Sequence, residues 1–292
     1  MATVTSNNVR VTPTGAALGA DVSGFDIRRV TSEECLAILK AWLDHLVIRI
    51  RDQVFVDDDH VRFMRLFGDC GGTPLSVFTG RDHIGTHPEI SRISNIRENG
   101  KPIGALGAGD LIWHTDMSYL DEPPSASMLH AMEVPSKGGG NTSFLNMYLA
   151  YEQMSEALRK RVEGLRIKHE GVHSSSGTVR PGTKVPESGD VRDYSGAWHP
   201  IVRTHPETGR KALFLGRRIN VYVEGFTVPE SEALLDELWE HACRPQFSWT
   251  QQWQVHDMIM WDNRCSMHRR DAFDDDDRRL MHRAVVRGNQ PC

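Results

Sequence analysis

The chain has 292 residues, a net charge of −5, and 39% hydrophobic against 25% charged residues. This composition is typical of an ordinary globular protein with ample material for a core. The net negative charge does not indicate binding to nucleic acid or to an anionic membrane surface. No segment approaches the roughly 20 apolar residues needed to cross a bilayer.

The first 70 residues predict short strands and two helices. Thr31 precedes acidic residues in a pattern typical of a helix N-cap, and apolar residues follow at helical spacing. The predicted elements are a strand at 9–13, a glycine-rich turn at 15–19, a helix from Thr31 carrying Leu36, Leu39, Leu43 and Leu46, a strand at 47–51, and a helix capped at 57–59 carrying Val61, Met64, Leu66 and Phe67.

After Gly71 the pattern changes to short β-like runs separated by Gly, Pro, Asn and Ser. A hairpin turn is expected at 206–209. Long polar loops are expected at 72–85 and 171–196, and such loops are usually disordered segments or active-site lids. The runs lie at 90–96, 126–132, 201–204, 212–215, 255–261 and 280–286, and two further helices lie at 150–163 and 231–243.

A β-rich body with helices at its front and in its inserts favours an antiparallel double-sheet roll. We therefore predict a mostly β fold with flanking helices: a double-stranded β-helix, or jelly-roll, core with N-terminal and inserted α-helices. Neither an internal repeat nor a low-complexity linker divides the chain, so we expect residues 1–292 to form a single domain.

The five cysteines are odd in number, scattered, and never spaced as CxxC. This pattern favours reduced thiols over a disulfide framework or a zinc knuckle. The N-terminus lacks the basic region and apolar stretch of a signal peptide. We therefore expect a cytoplasmic location.

His114-Thr115-Asp116 is the most informative pattern in the chain. Side chains two apart on a strand point to the same side, so His114 and Asp116 can converge on one ion. Two imidazoles and one carboxylate form the facial triad that holds non-heme Fe(II) and leaves positions open. The tripeptide alone is a weak signal, and His268, after a strand-like run at 258–262, is the leading candidate for the third ligand.

A facial-triad iron needs an electron donor to cleave O2, and the usual donor is 2-oxoglutarate. Its distal carboxylate requires a fixed cation, for which arginine offers a planar bidentate fork. Arg279 follows His268 by eleven residues. Arg279 and Arg283 share strand parity, so both can face one cavity.

Several motifs occur in order from about residue 10 to residue 288: Trp113-His114-Thr115-Asp116, Pro123-Pro124, Gly138-Gly139-Gly140-Asn141-Thr142, Trp261-Asp262-Asn263-Arg264, His268, and Arg279-Leu280-Met281-His282-Arg283. Together they resemble the TauD/TfdA family of taurine and 2,4-dichlorophenoxyacetate dioxygenases, which depend on Fe(II) and 2-oxoglutarate. The resemblance is closer to the 2,4-dichlorophenoxyacetate, or aryloxyalkanoate, branch than to taurine dioxygenase.

The resemblance implies that His114, Asp116 and His268 ligate Fe(II). Arg279 would pair with the C5 carboxylate of 2-oxoglutarate, assisted by the hydroxyl of Thr142. The implied reaction decarboxylates 2-oxoglutarate to succinate and CO2, uses O2 as the second cosubstrate, and hydroxylates a substrate C–H bond. A dimer or tetramer is also implied.

The resemblance further implies that Arg283 receives an anionic group of a small organic substrate and that the backbone at Met117 lines the same pocket. Taurine-specific members use a His after the second helix, and the comparable stretch at 72–78 has none. The segments around Asn95 and Lys101 look closer to the aryloxyalkanoate branch. We therefore expect an aryloxyalkanoate-like carboxylate, with ether cleavage, bound also by Asn95 and Lys101.

Three other assignments remain open on sequence grounds. The first is a sulfonate or alkyl sulfate ester dioxygenase of the same family. The second is a non-catalytic metal-binding jelly roll, which would have no need for the Arg279 and Thr142 clamp. The third is a zinc hydrolase, which accepts two His and a carboxylate but wants a nearby Glu as general base, and the sequence does not place one.

Overall fold

The computed structural model describes residues 3–4, 8–71, 83–84 and 87–292. Apart from residues 83–84, the predicted loop at 72–85 lies outside the described residues, as does the 72–78 stretch used to argue against taurine. The described chain is dominated by antiparallel strands, which confirms the predicted mostly β architecture.

The strands in chain order are β1 (Thr3–Val4), β2 (Arg10–Pro13), β3 (Ala20–Ser23), β4 (Val47–Ile50), β5 (His83–Ile84), β6 (His87–Ser94), β7 (Arg97–Glu98), β8 (Lys101–Pro102), β9 (Ala105–Leu106), β10 (Leu111–His114), β11 (Ala126–Glu133), β12 (Thr142–Asn146), β13 (Arg166–Glu170), β14 (Gly196–Pro200), β15 (Val202–Thr204), β16 (Lys211–Leu213), β17 (Tyr222–Val223), β18 (Ser248–Gln251), β19 (Met258–Asp262), β20 (Ser266–Arg270) and β21 (Leu280–Val286).

The helices in chain order are α1 (Ser32–His45), α2 (Asp57–Met64), α3 (Met147–Glu152), α4 (Glu156–Val162) and α5 (Val228–Ala242). Short 3-10 turns lie at Ile27–Arg29, Arg65–Phe67, Val191–Asp193 and Pro245–Phe247. None of the helices in the described residues combines the length and the hydropathy that crossing a bilayer requires.

Two sheets form the body of the roll. The larger runs β1-β2-β3-β4-β19-β11-β21-β6-β5, with β9 also on β6, and the smaller runs β10-β20-β12-β18. The rings of Trp261 in the larger sheet and Phe144 in the smaller lie 5.6 Å apart, and both belong to one apolar cluster with Leu129. The jelly-roll core is therefore the layer between the inner faces of the two sheets.

The outer face of the larger sheet is covered as well. Met128 and Met260, whose strand neighbours Leu129 and Trp261 point inward, pack in a second cluster with residues of α1 and α2. Side chains alternate across a strand, so a strand covered on both faces is apolar at nearly every position. This explains why 258–262 and 280–286 are such clear strand signals in the sequence.

Helix α1 confirms its predicted start, and its buried face overlaps the predicted leucine positions only in part. Thr31 caps the helix and forms a reciprocal capping box with Glu34. The buried residues are Ala37, Ile38, Ala41 and Trp42, whereas Leu36 is 67% exposed. Leu39 and Leu43 pack, partly buried, against the same cluster, and Leu46 is buried just after the helix ends.

Two other predicted helices have different limits. The region predicted as one helix at 150–163 is two helices, because Ser155 accepts a hydrogen bond from the Leu158 N–H and starts α4 anew. The second predicted helix ends at Met64, and Leu66 and Phe67 belong to the following 3-10 turn. The hairpin turn at 206–209 is confirmed, since β15 and β16 pair across it.

Two buried imidazoles make the fold sensitive to acid. His60 on α2 and His130 on β11 are 0% and 1% exposed, and their rings lie 6.2 Å apart. Burial, reinforced by neighbouring histidines, lowers the pKa of His60 to about 3 and that of His130 to about 4. As the pH falls below 6.5 the unfolded chain gains protons that the folded chain does not, so stability is lost.

We predict that His60→Leu removes about 2 kcal/mol of the fall in unfolding free energy between pH 7 and pH 5, because the variant has no imidazole to protonate there. Urea unfolding followed by circular dichroism measures the difference. Between pH 7 and pH 8, where histidine is neutral in both states, the two proteins should respond alike. A variant that keeps the full acid sensitivity would contradict this account.

Candidate active site

The three predicted ligands meet at the open edge of the smaller sheet. His114 ends β10 and pairs directly with His268 on β20, which brings the two rings to 4.1 Å between centroids. Asp116 does not continue the strand as expected. It lies in the turn that follows β10, where Met117 adopts a positive φ of 48°. The turn, and not strand parity, aims Asp116 at the imidazoles.

The separations between the ligand atoms fit a single metal ion. Asp116 Oδ1 lies 3.8 Å from His114 Nε2 and 3.9 Å from His268 Nε2. Two ligands that each sit about 2.1 Å from one ion are at most about 4.2 Å apart. His114 Nδ1–H donates to the Ile112 carbonyl at 2.7 Å, so its Nε2 lone pair is free to face an ion.

The protonation states also suit a divalent cation. Burial and the neighbouring His268 lower the pKa of His114 to about 3, so this imidazole is neutral at neutral pH. Burial alone would raise the pKa of Asp116, but Arg283 and the two imidazoles outweigh it and lower the value to about 2. Two neutral imidazoles and one carboxylate match the set that non-heme Fe(II) uses.

A chain of buried hydrogen bonds fixes the carboxylate. Ser127 Oγ donates to Asp116 Oδ2 at 2.7 Å, and Asn263 Nδ2 donates to Ser127 Oγ at 2.9 Å. Trp261 Nε1 donates in turn to Asn263 Oδ1 at 2.9 Å. The chain leaves Asp116 Oδ1 for the ion and holds the ligand by residues of the central strands, as outer-shell partners of metal sites do.

A cavity of roughly 820 Å³, counting its open mouth, surrounds the triad. At one end lies Arg279, which is 1% exposed, with Arg270 beside it at 3%. Neither guanidinium has a carboxylate within 4.0 Å among the described residues, and three of their nitrogens lack any hydrogen-bond partner there. Burial, with repulsion from Arg270, lowers the pKa of Arg279 to about 9.

Thr142 lies at the same end of the cavity. Its hydroxyl oxygen accepts a hydrogen bond from Trp253 Nε1 at 3.1 Å. Gly140 makes room here, since a Cβ at this position would lie 3.2 Å from Arg279. Gly140 thus permits the close approach of Arg279. This end of the cavity is a cationic pocket with a hydroxyl beside it, which suits a carboxylate.

The predicted substrate residues fall into two groups. Arg283 and Met117 line the cavity, and Arg283 lies 3.4 Å from Asp116 Oδ1. Lys101 is exposed on the β7–β8 hairpin and does not line the cavity. Asn95 turns away, donating to the carbonyls of Asp275 and Asp277. The resemblance that suggested these two residues therefore does not correspond to a position on the cavity wall.

Asn95 nevertheless has a structural part in the site. Its side-chain oxygen accepts a hydrogen bond from the Arg279 N–H at 3.1 Å. It therefore ties the turn that precedes β21 to the end of β6, and this places Arg279 at the start of its strand. The aspartates at 274–277 form a turn, as their composition indicates.

Other arginines that line the cavity escaped the sequence argument. Arg270 shares strand parity with His268, and that parity was a usable signal. Arg180 and Arg217 lie in irregular segments, where no periodicity indicates direction. The remaining lining residues are Ile93, Leu106, Leu111, Thr115, Ser118, Tyr119, Leu129, Ser174, Ser175 and Trp261.

A second cluster of potential ligands, His205, Asp262 and Cys265, is an internal ion-pair network. Asp262 accepts hydrogen bonds from Arg264 at 2.7 and 2.8 Å and lies 3.0 Å from His205 Nε2. Burial raises the pKa of the Cys265 thiol far above its ordinary value, so the group stays protonated. The carboxylate is already neutralised, and Cys265 is a buried, protonated thiol beside it.

Comparison with known proteins agrees with the geometry. Residues 10–285 match the model of the family described as taurine catabolism dioxygenase TauD, TfdA family. The alpha-ketoglutarate-dependent 2,4-dichlorophenoxyacetate dioxygenase of Burkholderia sp. (strain RASC) is 34% identical over 84% of this chain and 82% of its own. The (S)-phenoxypropionate/alpha-ketoglutarate-dioxygenase of Sphingobium herbicidovorans is 30% identical over 96% and 95%.

Solved structures give the same result. The crystal structure of AAD-2 in complex with Mn(II) and N-oxalylglycine superposes with a TM-score of 0.78 at 28% identity. It covers 98% of this chain and 99% of that chain. The similarity therefore extends over the whole roll and its helices.

We predict that Ser127→Ala weakens Fe(II) binding about 10- to 100-fold, because Asp116 loses the hydrogen bond that orients it. Anaerobic titration with Fe(II) measures the affinity. Ser143→Ala is the matched control, since the Ser143 hydroxyl pairs with Thr250 and touches no ligand. Equal affinities in the two variants would show that the Ser127 contact does not support the site.

Proposed function

Because the chain belongs to the TauD/TfdA family of 2-oxoglutarate-dependent dioxygenases, we propose that it oxidises a small organic anion, an aryloxyalkanoate-like carboxylate, with cleavage of its ether bond. The metal would be Fe(II), and the cosubstrates are 2-oxoglutarate, also called alpha-ketoglutarate, and O2. His114, Asp116 and His268 would hold the metal, and Arg279 and Thr142 the distal carboxylate of 2-oxoglutarate.

The observation that carries this proposal is the pair of unpaired, buried arginines at one end of the cavity. Each buried cation without a counter-ion costs several kcal/mol, so a folded protein retains such groups where an anion binds. Arg279 and Arg270 meet this condition within the cavity that contains the triad. A metal-storage module or a zinc hydrolase would have no need for them.

The residues of the chain divide the work among binding, orientation and exclusion of water. When bound, Fe(II) and 2-oxoglutarate supply the oxidising chemistry. Arg279, Arg270 and the Thr142 hydroxyl hold the far carboxylate, and this sets the reach of the oxoacid toward the triad. Ser127 keeps Asp116 in position. Apolar side chains such as Leu129 and Trp261 line the space between, which keeps competing water out.

The substrate half of the cavity supports an anionic, partly apolar ligand. Arg283 offers a cation beside the triad, and Met117 and Tyr119 offer apolar surface. Relatives named for 2,4-dichlorophenoxyacetate and (S)-phenoxypropionate support the aryloxyalkanoate class. Hydroxylation of the carbon that bears the ether oxygen gives a hemiacetal-type product, which collapses to a phenol and an oxoacid.

The domain organisation, the cellular compartment and the oligomeric state are part of the same proposal. A single domain over 1–292 is supported by the family match over 10–285. All five cysteines are free thiols, and this supports a reducing compartment such as the cytoplasm. We also propose a homo-oligomer, a dimer or tetramer, which size-exclusion chromatography with light scattering would test.

Succinate release with a panel of substrates tests the proposed reaction. Aryloxyacetates and aryloxypropionates should release succinate and the matching phenol faster than alkyl sulfonates or sulfate esters. Fastest turnover of taurine would reject the substrate class and leave the dioxygenase assignment in place. If protein that binds Fe(II) and 2-oxoglutarate released no succinate with any substrate of the panel, all of the tested substrate classes would be rejected.

We predict that Arg279→Gln weakens 2-oxoglutarate binding about 10- to 100-fold, because charge-assisted hydrogen bonds to the distal carboxylate are lost. Anaerobic calorimetry on the Fe(II)-loaded protein measures the affinity. Arg278→Gln is the matched control, since Arg278 adjoins Arg279 in the sequence but its own guanidinium is exposed and pairs with Glu133. If both variants bind 2-oxoglutarate as wild type does, Arg279 does not hold the cosubstrate.

A further inference from the structure

The substrate half of the cavity contains a second concentration of positive charge. Arg180 and Arg217 both line it. Arg217 Nη2 donates to the Glu170 carbonyl and Arg180 Nη1 donates to the Gly171 carbonyl, so two neighbouring peptide groups hold the two guanidinium groups near each other. Burial, with repulsion from Arg180, lowers the pKa of Arg217 to about 10. Two guanidinium groups that repel each other inside one cavity favour an anion between them.

Arg180 is held in place by its contacts, but its positive charge has no counter-ion among the described residues. It belongs to the long segment between β13 and β14, predicted from the sequence as a lid or a disordered loop. Its Nη1 donates to the Gly171 carbonyl at 2.9 Å, and its guanidinium lies 3.7 Å from the centroid of the Tyr119 ring. No carboxylate lies within 4.0 Å of it among the described residues. The side chain is therefore oriented but not neutralised.

The segment that carries Tyr119 is itself fixed. His199 Nε2 lies 2.8 Å from the Ser118 carbonyl and 2.9 Å from the Leu120 carbonyl, so one buried imidazole secures the turn after Asp116. The Thr115 N–H donates to the Gly216 carbonyl at 3.1 Å, which joins this turn to the segment of Arg217. The two arginines thus lie on a preorganised wall.

Of the two arginines, only Arg217 has a carboxylate within 4.0 Å among the described residues. Glu170, which is 1% exposed, lies 3.3 Å from Arg217 Nη2. Its carboxylate also accepts hydrogen bonds from the N–H groups of Val172 and His173. Glu170 therefore compensates Arg217 and holds the start of the long segment, and the charge of Arg180 remains without a partner.

This positive charge is separate from that of Arg283. Arg283 extends from β21 and pairs with Asp116 at 3.4 Å, next to the metal ligands. Arg180 and Arg217 extend from the segments after β13 and β16, and they contact Glu170 and Tyr119. An elongated ligand beside the triad can therefore meet a cation at each of two places.

We propose that Arg180 and Arg217 form a second anion subsite and that the substrate is a dianion, with one carboxylate-like group facing Arg283 and another bound by Arg180 and Arg217. This deepens the proposed function and rests on it, because the reacting carbon would lie between the two groups, beside the triad. A substituted aryloxyacetate with a second acid group on its ring has this form.

The test compares two isosteric probes, 4-carboxyphenoxyacetate and the neutral amide 4-carbamoylphenoxyacetate, with their 3-substituted isomers. Anaerobic calorimetry on protein saturated with Fe(II) and 2-oxoglutarate measures each affinity without turnover. We expect a carboxyl isomer to bind about 10- to 100-fold more tightly than its amide, the range for hydrogen bonds to a charged group. Arg180→Gln should remove most of this preference, and Arg180→Lys should keep part of it.

Arg192→Gln is the matched control. This arginine lies in the same segment, but it is exposed, pairs with Asp190 and does not line the cavity. It should keep the full preference for the dianion. Arg217 is not substituted, because its loss would leave Glu170 buried and uncompensated.

Three results would overturn the dianion subsite. In the first, the wild-type protein binds the carboxyl and the carbamoyl probe with equal affinity. In the second, Arg180→Gln keeps the preference for the carboxyl probe. In the third, Arg180→Gln lowers the affinity for both probes by the same factor. The affinity for 2-oxoglutarate, measured first on the same samples, reports on the proposed function separately. Protein that binds 2-oxoglutarate but does not prefer the dianion rejects the subsite alone.

Discussion

Two buried guanidinium groups that have no carboxylate partner in the described part of the chain are the constraint on which the rest of the site depends. Arg279 and Arg270 are kept charged in an apolar interior at a cost of several kcal/mol each before a ligand compensates them. The triad presents the opposite requirement, since two neutral imidazoles and Asp116 suit a divalent cation. A chelating oxoacid with a distal carboxylate meets both requirements, and the fold holds the two ends at a fixed separation.

The sheets hold that separation. His114 and His268 are direct partners across β10 and β20, so their relative position is set by backbone hydrogen bonds. Arg283 lies on β21 and Arg279 immediately precedes it; β21 pairs with β11, and β11 also supplies Ser127 behind Asp116. Because β11 and β21 are covered on both faces, these residues have little freedom to move. Rigid placement by central strands is what a preorganised site requires.

Much of this could be predicted from the sequence because strands give regular signals. The limits of β21 follow from its largely apolar run, and the shared parity of Arg279 and Arg283 follows from the alternation of side chains. The same parity relates Arg270 to His268, although the sequence argument did not use it. Other features depend on tertiary contacts that have no local signal: the turn that aims Asp116, and the loop geometry that brings Arg180 onto Tyr119. Lys101 and Asn95 were suggested by resemblance alone, and in the fold Lys101 lies on an exposed hairpin while Asn95 is bound to the turn before β21.

The central claim is that the triad and the buried arginines together bind Fe(II) and 2-oxoglutarate as a chelate. An anaerobic titration of the Fe(II)-loaded wild-type protein with 2-oxoglutarate, followed by visible absorption, tests it most directly. The account predicts a metal-to-ligand charge-transfer band that grows with added 2-oxoglutarate and then saturates. Protein that binds Fe(II) but develops no such band would contradict it.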